Sequence, residues 1–143
     1  MMLVKSELIL KVQMLSGKFV CFSALHLTII DRNVEVLKFF LKLLVISANK
    51  ELLNLTNRNK EGIMHLALQH NHSFVEYLLH FQPDLSLLDI SGNTVLHIAI
   101  RSHCPSQLLD LLLRYGKKLN LNIDAENYGK WSCYTCFSLC IYY

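Results

Sequence analysis

The chain has 143 residues, 52% of them hydrophobic and 17% charged, with a formal net charge of +3. That balance leaves room for one folded domain and excludes the disordered class, which combines few apolar residues with high net charge. A mean hydropathy of +0.32 does not amount to a membrane span: no uncharged apolar run reaches about 18 residues, and Lys38, Lys42, Arg101 and Arg114 interrupt the best stretches.

At the start of the chain, Leu3, Leu8, Val12 and Leu15 stand at roughly helical spacing. This predicts an amphipathic helix, or an unstructured leader, over residues 1–22. Lys5, Glu7 and Lys11 break the uninterrupted apolar centre that a secretory signal requires. The protein is therefore expected in the cytoplasm, with access to the nucleus. Five cysteines agree with that compartment, since an odd number cannot all pair within one chain.

From Ser23 a pattern takes over. Ser23-Ala24-Leu25-His26-Leu27, Gly62-Ile63-Met64-His65-Leu66-Ala67 and Thr94-Val95-Leu96-His97-Ile98-Ala99 are copies of one string, with their histidines 39 and 32 residues apart. A short apolar helix follows each histidine, then a polar break at Asp31–Asn33, His70–His72 and Ser102–Cys104. Asn71 suits a left-handed helix end.

A second helix is expected after each break. Its paired apolar positions are Val36-Leu37 with Phe39–Leu41, Phe74-Val75 with Leu78-Leu79, and Leu108-Leu109 with Leu111–Leu113. Spacing of three and four residues makes a stripe that buries only against neighbouring helices. Pro105 fits the first turn of the third, where its missing N–H costs nothing. The six extra residues of the first interval fall in Leu43–Asn54, as a longer helix and a loop. The second interval is one residue short near Ser73, which a tighter inter-helix turn absorbs.

These strings resemble the ankyrin repeat, whose signature is T-P-L-H-x-A at a period of about 33 residues. The expected fold is an all-α ankyrin-repeat solenoid of helix-turn-helix units with β-turn tips. Three repeats (about 23–56, 57–88 and 89–123) precede a truncated fourth over 124–129, and 130–143 is an irregular tail rich in cysteine and aromatics.

Within that family, Ala24–Ile30, the insertion before Leu53-Asn54 and Met64–Ala67 are similar to the ankyrin domain of IκB proteins. Asp84–Asp89 followed by Gly92–His97 is similar to NF-κB precursors, including the insect Relish type. The resemblance implies an intracellular module, monomeric when free, that grips a Rel-homology dimer. Such modules mask the nuclear-localisation segment and oppose DNA binding in innate immune signalling. The alternatives are an adaptor for an unrelated protein or a fragment of a longer precursor.

The chain departs from the family in places. Gly62-Ile63 replaces Thr-Pro in the second repeat, and both flanks, Lys18–Phe22 and Lys130–Tyr143, lack the repeat pattern. Translation into introns, or a truncated gene copy, is the expected origin of those flanks. Outer faces without polar caps predict a marginally stable array.

Candidate site residues follow from the pattern. His26, His65 and His97, with Gly92 and Thr94, are expected to hold the repeats together, since neutral histidine commonly satisfies buried polar groups. The protruding tips are expected at Asn57–Glu61, Asp89–Asn93 and Asp124–Gly129. Their partner-binding candidates are Asn57, Arg58, Asn59, Lys60, Glu61, Asp89, Ile90, Ser91 and Asn93, with Ile90 an aliphatic that exposure would make costly unless covered.

No cofactor or metal is expected. His70, His72 and His80 cluster only in sequence, and Cys133-x-x-Cys136-x-x-x-Cys140 lacks the second ligand pair of a zinc site. No phosphate loop, metalloprotease helix or nucleophile elbow is present, so no enzyme is expected. Ten basic and ten acidic residues balance between Val20 and Gly129. Without a basic stripe, direct nucleic-acid binding has no electrostatic support.

Overall fold

The computed structural model describes residues 24–47, 50–119 and 121–135. Among the described residues, helices alternate in two layers: α1 (Ala24–Ile30), α2 (Val34–Ser47), α3 (Ile63–His70), α4 (Ser73–Leu79), α5 (Val95–Arg101) and α6 (Ser106–Gly116). A 3-10 turn, Lys50–Asn54, follows α2. The odd-numbered helices pack in a row, α1 on α3 and α3 on α5; each packs on the even-numbered helix that follows it, and α4 packs on α6. This is a solenoid.

The core lies between the layers. Ile29, Leu37, Leu41, Met64, Leu68, Leu78, Leu79, Ile98 and Leu112 are fully buried. Burying each such side chain stabilises by roughly 1.5–3 kcal/mol relative to exposure. Of these, Leu37, Leu41, Leu78, Leu79 and Leu112 are positions the helical spacing marks, and the other four lie in the signature strings or the short helices they open. The extra residues of the first interval lengthen α2 to 14 residues and form the 3-10 turn, whose buried Leu53 joins the core. Asn54 Oδ1 there accepts the Asp84 backbone N–H at 2.9 Å, which ties the insertion to the end of the second repeat.

The breaks between paired helices differ in length. Arg32 and His103 take left-handed φ of 53° and 52° in the first and third repeats. The expected left-handed Asn71 is instead extended, at φ −157°. The missing residue leaves only Asn71 and His72 between α3 and α4, too short for the same path. Asn71 serves another purpose: its Oδ1 accepts from the N–H and hydroxyl of Ser73 at 3.1 and 2.6 Å, a local turn that leads into α4. Pro105 stands at the N-cap of α6, and its carbonyl accepts from Leu108 and Leu109.

Among the described residues no helix is long and apolar enough to cross a membrane. The expected leader helix over residues 1–22, together with Cys136 and Cys140, lies outside the described residues.

Candidate functional site

Three turns of one geometry line an edge of the solenoid. In the first, the Asn57 N–H donates to the Glu61 carbonyl at 3.0 Å and the Lys60 N–H to the Asn57 carbonyl at 3.0 Å. Asn57 Oδ1 accepts from Asn59 N and Glu61 N, both at 2.9 Å. The second turn repeats this with Asp89 Oδ1, Ser91 N and Asn93 N, and the third with Asn127 Oδ1, Gly129 N and Trp131 N. A short side-chain acceptor at the first position closes each turn by mimicking the backbone. The fourth position is left-handed in all three: Lys60 at 58°, Gly92 at 75° and Lys130 at 60°.

The third tip therefore runs from Asn127 to Trp131, and the position expected from Asp124 is corrected by three residues. Isolated antiparallel bridges close the first and third tips, Thr56 to Gly62 and Glu126 to Ser132. Residues 133–135 then enter helix. The repeat geometry thus continues past Gly129 to Thr135, where an irregular tail was expected. Ser132 and Thr135 stand where Thr94 and His97 stand one repeat earlier. The Ser132 N–H donates to Thr135 Oγ1 at 2.9 Å, as the Thr94 N–H donates to His97 Nδ1 at 3.2 Å.

Neighbouring tips are joined by backbone: Ile90 N–H to the Asn59 carbonyl at 2.7 Å, and Tyr128 N–H to the Ser91 carbonyl at 3.0 Å. Behind them the histidines bridge repeats. His65 Nε2 donates to the Asn93 carbonyl at 3.2 Å and His97 Nε2 to the Trp131 carbonyl at 2.9 Å. A carbonyl only accepts, so both imidazoles carry their proton on Nε2 and accept at Nδ1. At His65 the donor to Nδ1 is the Gly62 N–H, at 3.3 Å. At His97 the Thr94 hydroxyl joins the Thr94 N–H, at 2.9 Å, with Cys133 Sγ at 3.6 Å.

His26 occupies the same register, beside the backbone of Leu55 and Glu61. Burial pushes the pKa of His26 and of His65 below the usual histidine value, against the opposing pull of the Glu61 and Leu55 backbone at His26, the Asn93 backbone at His65, and nearby carboxylates.

The partner-binding candidates divide by burial. Asn57, Asp89 and Asn93 are buried, and Glu61 has both carboxylate oxygens held, by Asn57 Nδ2 at 2.7 Å and Gln69 Nε2 at 2.9 Å. Asp89 Oδ2 accepts from Asn93 Nδ2 at 2.9 Å. These four build the tips, because each stacked neighbour removes solvent from them. Arg58, Asn59, Lys60, Ile90 and Ser91 form the exposed edge. Tyr128 and Trp131 join it, 72% and 44% exposed. Tyr128 falls within the tip expected over Asp124–Gly129, whereas Trp131 lies beyond it, although Asn127-x-x-Lys130 has the polar first residue and lysine fourth residue of Asn57-x-x-Lys60. Among the described residues no three histidine, cysteine or acidic side chains gather as a metal site.

The family model for ankyrin repeats, in three copies, matches residues 25–123. The chain belongs to the ankyrin-repeat family. Its repeats are similar to part of two NF-κB precursor proteins. It is 34% identical over 96 residues to the nuclear factor NF-kappa-B p105 subunit of Rattus norvegicus, covering 66% of this chain and 10% of that protein. The p105 subunit of Gallus gallus is 32% identical over 106 residues, which is 73% of this chain and 11% of that one. The chain thus spans about a tenth of the length of these relatives. Ankyrin repeats are a protein-interaction module, and the stacked tips present an exposed edge.

Proposed function

We propose that this domain binds a Rel-homology dimer and restrains its nuclear entry and DNA binding, in the cytoplasm and nucleus, as part of immune signalling. The observation that carries the reading is the similarity to the two p105 subunits, which extends over two thirds or more of the chain's length. No catalytic step enters it; the work is done by surface complementarity.

The test is retention of a purified Rel-homology dimer by the immobilised full chain, at low and moderate salt, with release of prebound labelled DNA as the second readout. Retention with DNA release is the expected outcome. A folded, helical chain that retains no dimer at either salt overturns the reading. One observation favours an adaptor with an unrelated partner: basic and acidic residues are equal in number between Val20 and Gly129, whereas a DNA-binding dimer presents a basic face to which an acidic surface is complementary.

A further inference from the structure

The exposed edge of the tips has a chemistry of its own, independent of the Rel-dimer reading. Arg58, Ile90 and Tyr128 occupy the second position of three consecutive turns. Direct backbone hydrogen bonds between neighbouring tips place them in one row. Ile90 is 59% exposed and Tyr128 72%. Lys60 and Lys130, both exposed, flank the row at the fourth position.

The negative charge of the tips is turned inward. The Asp89 carboxylate is buried and accepts from Ser91 N, Asn93 N and Asn93 Nδ2. The Glu61 carboxylate is held by Asn57 and Gln69. Of the acids near the turns, Asp124 and Glu126 are exposed, on the approach to the third tip rather than on its outward row. The outward charges of the row itself are thus cationic, set around an aliphatic and two aromatic side chains, Trp131 being the second.

We infer that this row binds an extended, acidic protein segment carrying at least one apolar side chain. The segment's carboxylates would meet Arg58, Lys60 and Lys130, and its apolar side chain would cover Ile90 against the Tyr128 ring. Extension follows from the surface: a segment that reaches three tips in line must run along them. Charge complementarity sets the sign, and the exposed Ile90–Tyr128 pair is the kind of apolar patch that marks an interaction site. A basic segment on the same row meets like charge.

Trp131 is the only tryptophan in the chain, so binding is read from its fluorescence. The probe is a synthetic tryptophan-free peptide rich in glutamate with one central leucine, titrated into the full chain and compared with its lysine-for-glutamate counterpart. The expected result is saturable binding of the acidic peptide, weakened several-fold by raised salt. At least tenfold weakening is expected in Lys60→Asn/Lys130→Asn, which keeps residues that accept a left-handed backbone. Ile90→Ser, an exposed site remote from the core, gives an independent loss of similar size. Circular dichroism and thermal melts confirm that both variants are folded. Binding of the basic peptide, of neither peptide, or undiminished binding by the folded variants overturns the inference.

Discussion

Gly92 carries two requirements at one atom. Its φ of 75° is left-handed, and the Cβ it lacks would stand 2.7 Å from Cδ1 of the Tyr128 ring. The ring of the third tip lies in the space this glycine leaves open. Gly92→Ala is expected to destabilise by roughly 1–3 kcal/mol, the range for strained backbone positions, with the ring displaced as well. The check is urea denaturation, where the midpoint falls at unchanged slope. Lys60 takes the equivalent conformation at φ 58° with a side chain present. Lys60→Gly is therefore expected to change stability by less than about 1 kcal/mol, since relief of left-handed strain opposes the added freedom of the unfolded chain. A large loss at Lys60→Gly, or none at Gly92→Ala, rejects this account of the turns.

At the scale of elements, stability comes from the even-numbered helices as much as from the signature strings. Leu78 on α4 is fully buried, and α4 packs against both α3 and α6. Leu78→Ala is expected to cost about 2–5 kcal/mol, transfer and cavity effects together, read by the same denaturation. Val45 on α2 is 65% exposed, so Val45→Ala should stay within about 0.5 kcal/mol. The helices were legible because their apolar positions recur at three and four residues and only a neighbouring helix buries such a stripe. The third tip was misplaced for a physical reason. Regular repeat spacing puts a fourth turn at Asp124, and no Thr-x-x-His string follows to move it, yet the turn needs only a short acceptor at its first residue and a tolerated left-handed fourth. Asn127 and Lys130 meet both conditions without the string, and Ser132 with Thr135 replaces threonine and histidine. Burial of Asn57, Asp89 and Asn93 was also hidden. Isolated, such residues read as solvated loop; only stacking of one turn on the next removes them from water.

The whole array is coupled through its histidines, which makes its stability a function of pH. In the folded chain His65 is neutral, with Nε2–H on the Asn93 carbonyl and Nδ1 facing the Gly62 N–H. A second proton would put an N–H at Nδ1 against that N–H, in a buried site. His26 and His65 both have pKa values lowered from 6.5 by burial, so below that pH the unfolded chain takes up protons that the folded chain refuses. Stability is thus fully present above about pH 6.5 and falls as pH drops toward the depressed folded values. The slope reaches at most about 1.4 kcal/mol per pH unit for each histidine. Because a solenoid's stability is close to a sum of repeats and their interfaces, loss at these two joints weakens the array as a unit. Urea midpoints of the full chain at pH 7.5, 6.5 and 5.5 should be nearly level over the first step and drop over the second. His65→Gln lowers the midpoint at pH 7.5 through the altered inter-repeat hydrogen bond, yet its midpoint should fall less steeply below pH 6.5. An unchanged acid slope in that variant would remove His65 from the linkage and place the acid sensitivity elsewhere in the chain.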